Sequence, residues 1–185
     1  TFVPAIPGID KVSYWTHRDA LDNKELPASL AIIGGGVIGM EFASFFNSLG
    51  VQVTVVEMLD EILGGGMDRE LAGMLRAEYA KRGIKFMLSA KVVSVAQDAA
   101  EASSLIQVNY ETADGPGSVV AERLLMSVGR RPVMKGFGLE NLGLERTERG
   151  NVFVNGQMQT SVPGVYACGD LTGYSLLAHT AVREA

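Results

Sequence analysis

The chain has 185 residues, 47% of them hydrophobic and 20% charged, with a formal net charge of −5 at pH 7. That length makes one large domain, or one domain and part of another, and an acidic balance without any basic run argues against nucleic acid and anionic membranes as partners. The longest apolar stretches are of strand length, which excludes a membrane span, and the single cysteine, Cys168, leaves no internal disulfide or zinc cluster to build.

Residues 1–27 read as a connector. TFVPAIPGIDK is turn-rich, with Pro4, Pro7 and Gly8, and Leu26–Pro27 leads into the first strand. No signal peptide is visible; Thr1 is not a natural start, so a targeting segment upstream stays open.

Residues 28–129 carry the densest signal. An apolar strand, Leu30–Ile33, runs into the turn Gly34, Gly35, Gly36, Val37, Ile38, Gly39. An amphipathic helix follows, then a β-branched strand (Val51, Val53, Val55, Val56) with Glu57 at its end. A glycine triplet alone is weak, but strand, turn, helix, strand and acid together form a dinucleotide-binding fingerprint. Gly34 permits the tight turn, Gly36 lets the backbone approach a pyrophosphate, and Gly39 lets helix and strand pack closely. The first-turn N–H groups lack intrahelical partners and would face the phosphates. Ile38, Phe42, Phe45, Phe46 and Leu49 define the predicted apolar face, and Gly50 falls at the C′ position.

Glu57 lies 18 residues after Gly39, near the spacing of the carboxylate that accepts ribose hydroxyls. Charge-assisted bonds to two hydroxyls would contribute roughly 1.5–3 kcal/mol each. The same carboxylate repels a 2′-phosphate, and Met58, Leu59 and Asp60 bring no cation to offset it. NAD is therefore favoured over NADP. The plainer alternative is a strand-end glutamate facing solvent.

Gly64–Gly66 read as a loop, and Asp68 as the N-cap of a helix over residues 69–82 with an apolar stripe of Leu71, Ala72, Leu75 and Tyr79. Gly83 ends it, and Ile84–Leu88 completes a β-α-β-α-β unit. Three extended runs follow: Lys91–Ala96, Leu105–Glu111 and Val119–Val128, separated by Asp98–Ser104 and Ala113–Gly117. With no helix between them they predict an antiparallel three-stranded meander appended to a Rossmann-like parallel sheet, with Val92 at its edge. The expected class is α/β.

From Gly129 the chain is loop-rich. Asn151–Asn155 and Val165–Ala167 read as short strands, the second running through Cys168, an inert packing residue, to a Gly169–Asp170 turn. Asp170 would stand clear at a strand's carboxyl end, able to accept hydrogen bonds from sugar hydroxyls; an N-capping role is the alternative. Residues 176–185 read as the start of a helix.

Six motifs recur here in a particular order: GGGVIGME from Gly34 to Glu41, Val55-Val56-Glu57, Lys91-Val92, SVGRRP from Ser127 to Pro132, QTSVPGVYACGD from Gln159 to Asp170, and Leu177-Ala178-His179. In order and spacing, over essentially the whole chain, they resemble the FAD-carrying pyridine nucleotide-disulfide oxidoreductases, and among these the dihydrolipoamide dehydrogenase type. The resemblance implies that Gly34, Gly35, Gly36, Val37, Ile38, Gly39, Met40 and Glu41 wrap NAD's pyrophosphate and approach the nicotinamide. It places Glu57 on the adenosine ribose, and Val92 and Gly129 along the NAD pocket. Asp170 would bind the ribityl side of FAD, while Leu176, Leu177, Ala178 and His179 would cover the flavin through backbone contacts. Bland readings stand beside these. Val92 could be a core valine, Gly129 a turn, Glu41 a complement to the helix dipole, and His179 a helix-start residue.

The family's reaction also needs a first FAD-binding βαβ unit, a CxxxxC redox pair and a C-terminal His–Glu base, none of which these 185 residues hold. The expectation is therefore a central fragment: connector 1–27, NAD-binding domain 28–129, and the incomplete second FAD segment 130–185. No residue of it is assigned a catalytic role. Alone it should bind NADH weakly, hold no stoichiometric FAD and turn over no lipoamide. By resemblance the parent oxidises protein-bound dihydrolipoamide through a disulfide, FAD and NAD. It would be a homodimer with a lipoyl-bearing protein as partner, in the bacterial cytoplasm (favoured) or the mitochondrial matrix. NADH oxidases, peroxidases or a transhydrogenase on the same scaffold are the enzymatic alternative, and a non-catalytic NAD-binding module is the other.

Overall fold

The computed structural model describes residues 1–97 and 105–185, which form two compact units, Thr1–Gly129 and Arg130–Ala185. The predicted separator Asp98–Ser104 lies outside the described residues.

The first unit is built on a five-stranded parallel sheet. Its strands are β1 (Tyr14–Trp15), β2 (Ser29–Ile33), β3 (Gln52–Val56), β4 (Lys85–Met87) and β8 (Arg123–Met126), in the order β1-β8-β2-β3-β4. Helices α1 (His17–Asp22), α2 (Val37–Ser48) and α3 (Arg69–Lys81) connect the strands from β1 to β4. Strands β5 (Lys91–Gln97), β6 (Ile106–Thr112) and β7 (Gly115–Ala121) form the separate antiparallel meander, β5-β6-β7. The α/β class and both sheets are thus as expected.

Three boundaries differ from the sequence reading. Val119–Val128 is not one strand: β7 ends at Ala121 in the meander, and β8 starts at Arg123 between β1 and β2. The single residue between them, Glu122, is fixed by accepting the Ala28 N–H at 2.8 Å. The predicted Ala113–Gly117 separator shrinks to a two-residue turn, because Thr112 already pairs with Gly115. Within the residues read as a connector, Tyr14–Trp15 pairs with β8, and α1 starts where the Asp19 carboxylate accepts both the backbone N–H and the hydroxyl of Thr16 at 2.7 Å.

Alternation along the parallel strands divides the core. Leu30, Ile32, Val53, Val55 and Leu125 face the helices, while Ala31, Ile33, Val56, Leu124 and Met126 face the meander. Both faces are covered, so these strands read as continuous apolar runs. Helix α2 meets the sheet through Gly39, Met40, Ala43 and Phe46, all buried, whereas the predicted face residues Phe45 and Leu49 are exposed. The reason is distance. A Cβ on Gly39 would lie 2.0 Å from the Gly34 carbonyl oxygen, so only small residues fit where helix and strand touch. Phe46 fills the flank, within 6.0–6.1 Å of the Trp15 and Phe42 rings. On α3, Ala72 is buried and Leu71, expected in the stripe, is exposed.

Both long helices end alike. Gly50 and Gly83 are left-handed, and the N–H groups of Val51 and Ile84 reach back to the carbonyls of Phe46 and Tyr79 at 3.1 and 3.2 Å. These are Schellman closures. Asp68 caps α3 by accepting the N–H groups of Glu70 and Leu71.

Arg76 on α3 grips Glu61, in the loop after β3, through two bonds of 2.7 and 3.0 Å, and the guanidinium holds the buried Glu61 carboxyl below its ordinary range. A carboxylate lowered in the folded state contributes stability above its unfolded pKa of about 4.3 and loses it as pH falls further. Replacing Glu61 by Gln is expected to cost about 1–3 kcal/mol at pH 7, below the full buried-pair value because Arg76 is a third exposed. Melting temperatures from pH 7 to 3 check this: the variant should lose less stability than the parent below about pH 4.3.

In the second unit the predicted strands Asn151–Asn155 and Val165–Ala167 are absent. Isolated bridges Arg146–Val152 and Gln159–Tyr166 stand there instead, around a small core of Leu144, Val152 and Val154. Cys168, read as lying in a buried strand, is partly buried and precedes a one-turn helix, Gly169–Leu171. Helix α4 (Ala178–Glu184) follows. Among the described residues no helix is long and apolar enough to cross a membrane.

Candidate functional site

Strand β2 lies between β8 and β3, and the chain leaves its carboxyl end by α2 toward β3 while β8 flanks the other side. Ligands of open α/β sheets bind in the crevice at such a switch point. The residues of the glycine turn stand at this end, and their backbone explains them one by one.

Gly34 has φ +108°, and a Cβ there would lie 2.5 Å from the Ser127 carbonyl oxygen at the end of β8. Gly39 is fixed by its contact with Gly34. Gly36 differs: its backbone is extended, open to any residue, and a Cβ there would meet no protein atom within 4 Å. Nothing among the described residues requires glycine at position 36. Gly36 is also the N-cap of α2, no side chain caps that end, and the first intrahelical bond runs from Met40 N–H to the Gly36 carbonyl at 2.9 Å. The amides of Val37, Ile38 and Gly39 therefore precede the ladder at the positive end of the helix dipole. Gly36 and Val37 are exposed and Ile38 is partly so, while the Met40 side chain is 3% exposed and points into the core.

Glu57 stands one strand away. Its backbone is fixed on both sides, N–H to the Met87 carbonyl at 2.8 Å and carbonyl to the Ala90 N–H at 2.9 Å. Its carboxylate is partly buried and accepts the Gly35 N–H on Oε2 at 2.5 Å and the Leu59 N–H on Oε1 at 2.8 Å. Arg69, a nearby cation in the sequence, is held by Asp60 through bonds of 2.8 and 3.1 Å.

Other predicted residues are placed less directly. Gly129, exposed with φ +123°, follows β8 and accepts the Phe2 N–H at 2.9 Å. Val92 sits on edge strand β5 beside a bulge, and its side chain packs on the core facing the meander. Glu41 is exposed on the second turn of α2. It rims a depression of about 480 Å³ between α1 and α2, lined by Leu21, Leu26, Phe42, Phe45 and Leu49.

In the second unit, Asp170 is exposed on the one-turn helix, and Leu176, Leu177, Ala178 and His179 are exposed where α4 begins. The cap of α4 is Leu177, so Asp170 does not have the N-capping role weighed as its alternative. The Gly169 N–H donates to the Glu184 carboxylate at 2.6 Å.

Sequence reasoning missed Leu59 and Leu63, which act through backbone amides and carry no side-chain signal. The Leu63 N–H donates to the Gly35 carbonyl at 2.8 Å from a residue at φ +56°. Ser127, which opens the SVGRRP motif but has no role assigned by it, carries a buried hydroxyl with no hydrogen-bond partner among the described residues.

Comparison with known proteins gives a consistent result. The family described as pyridine nucleotide-disulphide oxidoreductase matches residues 1–185. Dihydrolipoyl dehydrogenase of Rhizobium etli is 42% identical over 183 residues, which cover 97% of this chain and 37% of that protein. The mitochondrial dihydrolipoyl dehydrogenase of Homo sapiens is 37% identical over 186 residues, covering 98% and 36%. The HOCl-induced flavoprotein disulfide reductase RclA from Escherichia coli, solved as a Cu(II) complex, superposes with a TM-score of 0.87 at 31% identity, covering 100% of this chain and 40% of that one. The chain thus spans somewhat more than a third of the length of the relatives it matches.

Proposed function

The chain belongs to the pyridine nucleotide-disulphide oxidoreductase family, and on that premise we propose that its first unit holds NAD(H) across the glycine turn and Glu57, within a longer flavin-dependent dihydrolipoyl dehydrogenase. One observation carries the reading: Gly36 is a glycine that the protein's own packing does not need, at an uncapped helix N-terminus beside a fixed carboxylate.

The residues fit a dinucleotide. A diphosphate would take the amides of α2's first turn, where backbone dipoles favour negative charge without a protein cation. Its approach needs the space that a side chain at Gly36 would fill. Each carboxylate oxygen offers two acceptor positions, so Glu57 can hold its two backbone amides and still accept two ribose hydroxyls. A 2′-phosphate would meet that carboxylate with Arg69 already engaged by Asp60. Gly129, which follows β8, is proposed to line the NAD pocket.

When bound, nicotinamide and flavin supply the hydride exchange, and the protein supplies binding, orientation and electrostatics. Asp170 and residues 176–179 are proposed to contribute one part of a FAD site, the remainder coming from the parent chain. The parent would oxidise protein-bound dihydrolipoamide, with a lipoyl-bearing protein as its partner and a homodimer as its working form, in the cytoplasm or the mitochondrial matrix. The 185 residues alone are proposed to be inactive. A second reading, reduction of a different disulfide, is favoured by the likeness to RclA; lipoamide turnover by the full-length parent separates the two.

The nucleotide preference is tested by thermal shift. A ligand of the native state stabilises it by mass action, so NADH should raise the melting temperature more than NADPH at equal concentration. Equal shifts would remove Glu57 from the ribose.

A further inference from the structure

The geometry points to a second task for the segment after β3: Glu57 and Leu63 clamp Gly35 from both sides, through its N–H and its carbonyl, into its binding shape before any nucleotide arrives, so nucleotide choice cannot be reversed at position 57 alone. The inference rests on the proposed dinucleotide site and adds a positioning role to it.

Four observations converge on the Gly34–Gly35 segment. The Gly34 N–H is held by the Val56 carbonyl at 2.9 Å, the Gly35 N–H by Glu57 Oε2, and the Gly35 carbonyl by the Leu63 N–H at 2.8 Å. A Cβ at Gly35 would come within 3.1–3.2 Å of Glu57 Oε2, Cβ and Cγ, so this glycine is small because the glutamate lies over it. Leu63 adopts φ +56°, a region that leucine rarely enters; its amide reaches Gly35 from there. The loop that carries it is tied down by the bonds of the partly exposed Arg76 to the buried Glu61 and by Ile62, which is 1% exposed.

A turn fixed in advance saves the ordering cost on binding. Glu57 is thus a positioning residue for the turn, acting through Gly35, as well as a sugar acceptor. An arginine at 57 could neutralise a 2′-phosphate, but it has no acceptor for the Gly35 and Leu59 amides, and it would release the turn it is meant to serve.

The test uses the 15N-labelled chain without nucleotide. The Gly35 amide should exchange slowly and resonate downfield, and Glu57→Ala should abolish both signatures. Glu57→Arg should bind NADPH about tenfold or more weakly than the unsubstituted chain binds NADH, the loss of one charge-assisted bond. Gly35→Ala should weaken NADH to a similar degree. A Gly35 amide that exchanges at the solvent rate in the unsubstituted chain, or Glu57→Arg taking NADPH as tightly as the unsubstituted chain takes NADH, would overturn the clamp. If the unsubstituted chain binds no NADH while the Gly35 signal still follows Glu57, the nucleotide reading fails and the clamp stands.

Discussion

Gly36→Val is expected to abolish stabilisation by NADH while leaving the fold intact. The φ of −73° and ψ of −177° at Gly36 suit valine, and the added Cβ meets no protein atom within 4 Å. The cost to the apo chain is only that of a poorer N-cap, about 1 kcal/mol or less. The two methyl groups would occupy the approach of the diphosphate to the first-turn amides. At a ligand concentration of 100 times Kd, binding contributes about 2.7 kcal/mol of apparent stability, and the variant should show none of it. Thermal unfolding with and without NADH measures both quantities in one experiment. A variant that melts normally and still responds to NADH contradicts the assignment.

Gly39→Ala, three residues on in the same motif, should do the reverse. Alanine inside a helix is ordinarily about 1 kcal/mol better than glycine. Here the methyl carbon would stand 2.0 Å from the Gly34 carbonyl oxygen, a backbone atom that no rotamer change can move. Separating helix from strand at that point disturbs Ile32, Ala43 and Phe46, all fully buried. The net expectation is a loss of about 3 kcal/mol or more, beyond usual overpacking, or about 6–12 °C in melting temperature for a domain of this size. The sign decides: a stabilised Gly39→Ala would mean that helix and strand are not in contact there.

What could be read from the sequence depended on how local the cause was. The ends of α2 and α3 were legible because Gly50, Gly83 and Asp68 act within one turn of their own helix. Strand β1 was not, because two residues become a strand only when β8 lies beside them. The division of Val119–Val128 was hidden for a similar reason. Both halves are apolar, and the chain changes sheets at Glu122 through a bond to Ala28, 94 residues away. The buried face of α2 was misjudged because close approach selects Gly39 and Ala43, while hydrophobicity points to Phe45 and Leu49.

The candidate site was legible where the residue type carries the role and not where a backbone amide alone does. Gly34, Gly36, Gly39 and Glu57 each carry a composition signal, and they come together at one end of the sheet. The amides of Leu59 and Leu63 belong to residues whose side chains say nothing of their role. The buried hydroxyl of Ser127, beside Gly34, became visible only once β8 was placed next to β2.

A crystal of the 185-residue chain grown with NADH tests the central claim most directly. Diphosphate oxygens are expected on the amides of α2's first turn, above Gly36, and adenosine ribose hydroxyls on the Glu57 carboxylate. A nucleotide seated instead in the apolar depression between α1 and α2, against Phe45 and Leu49, would contradict it.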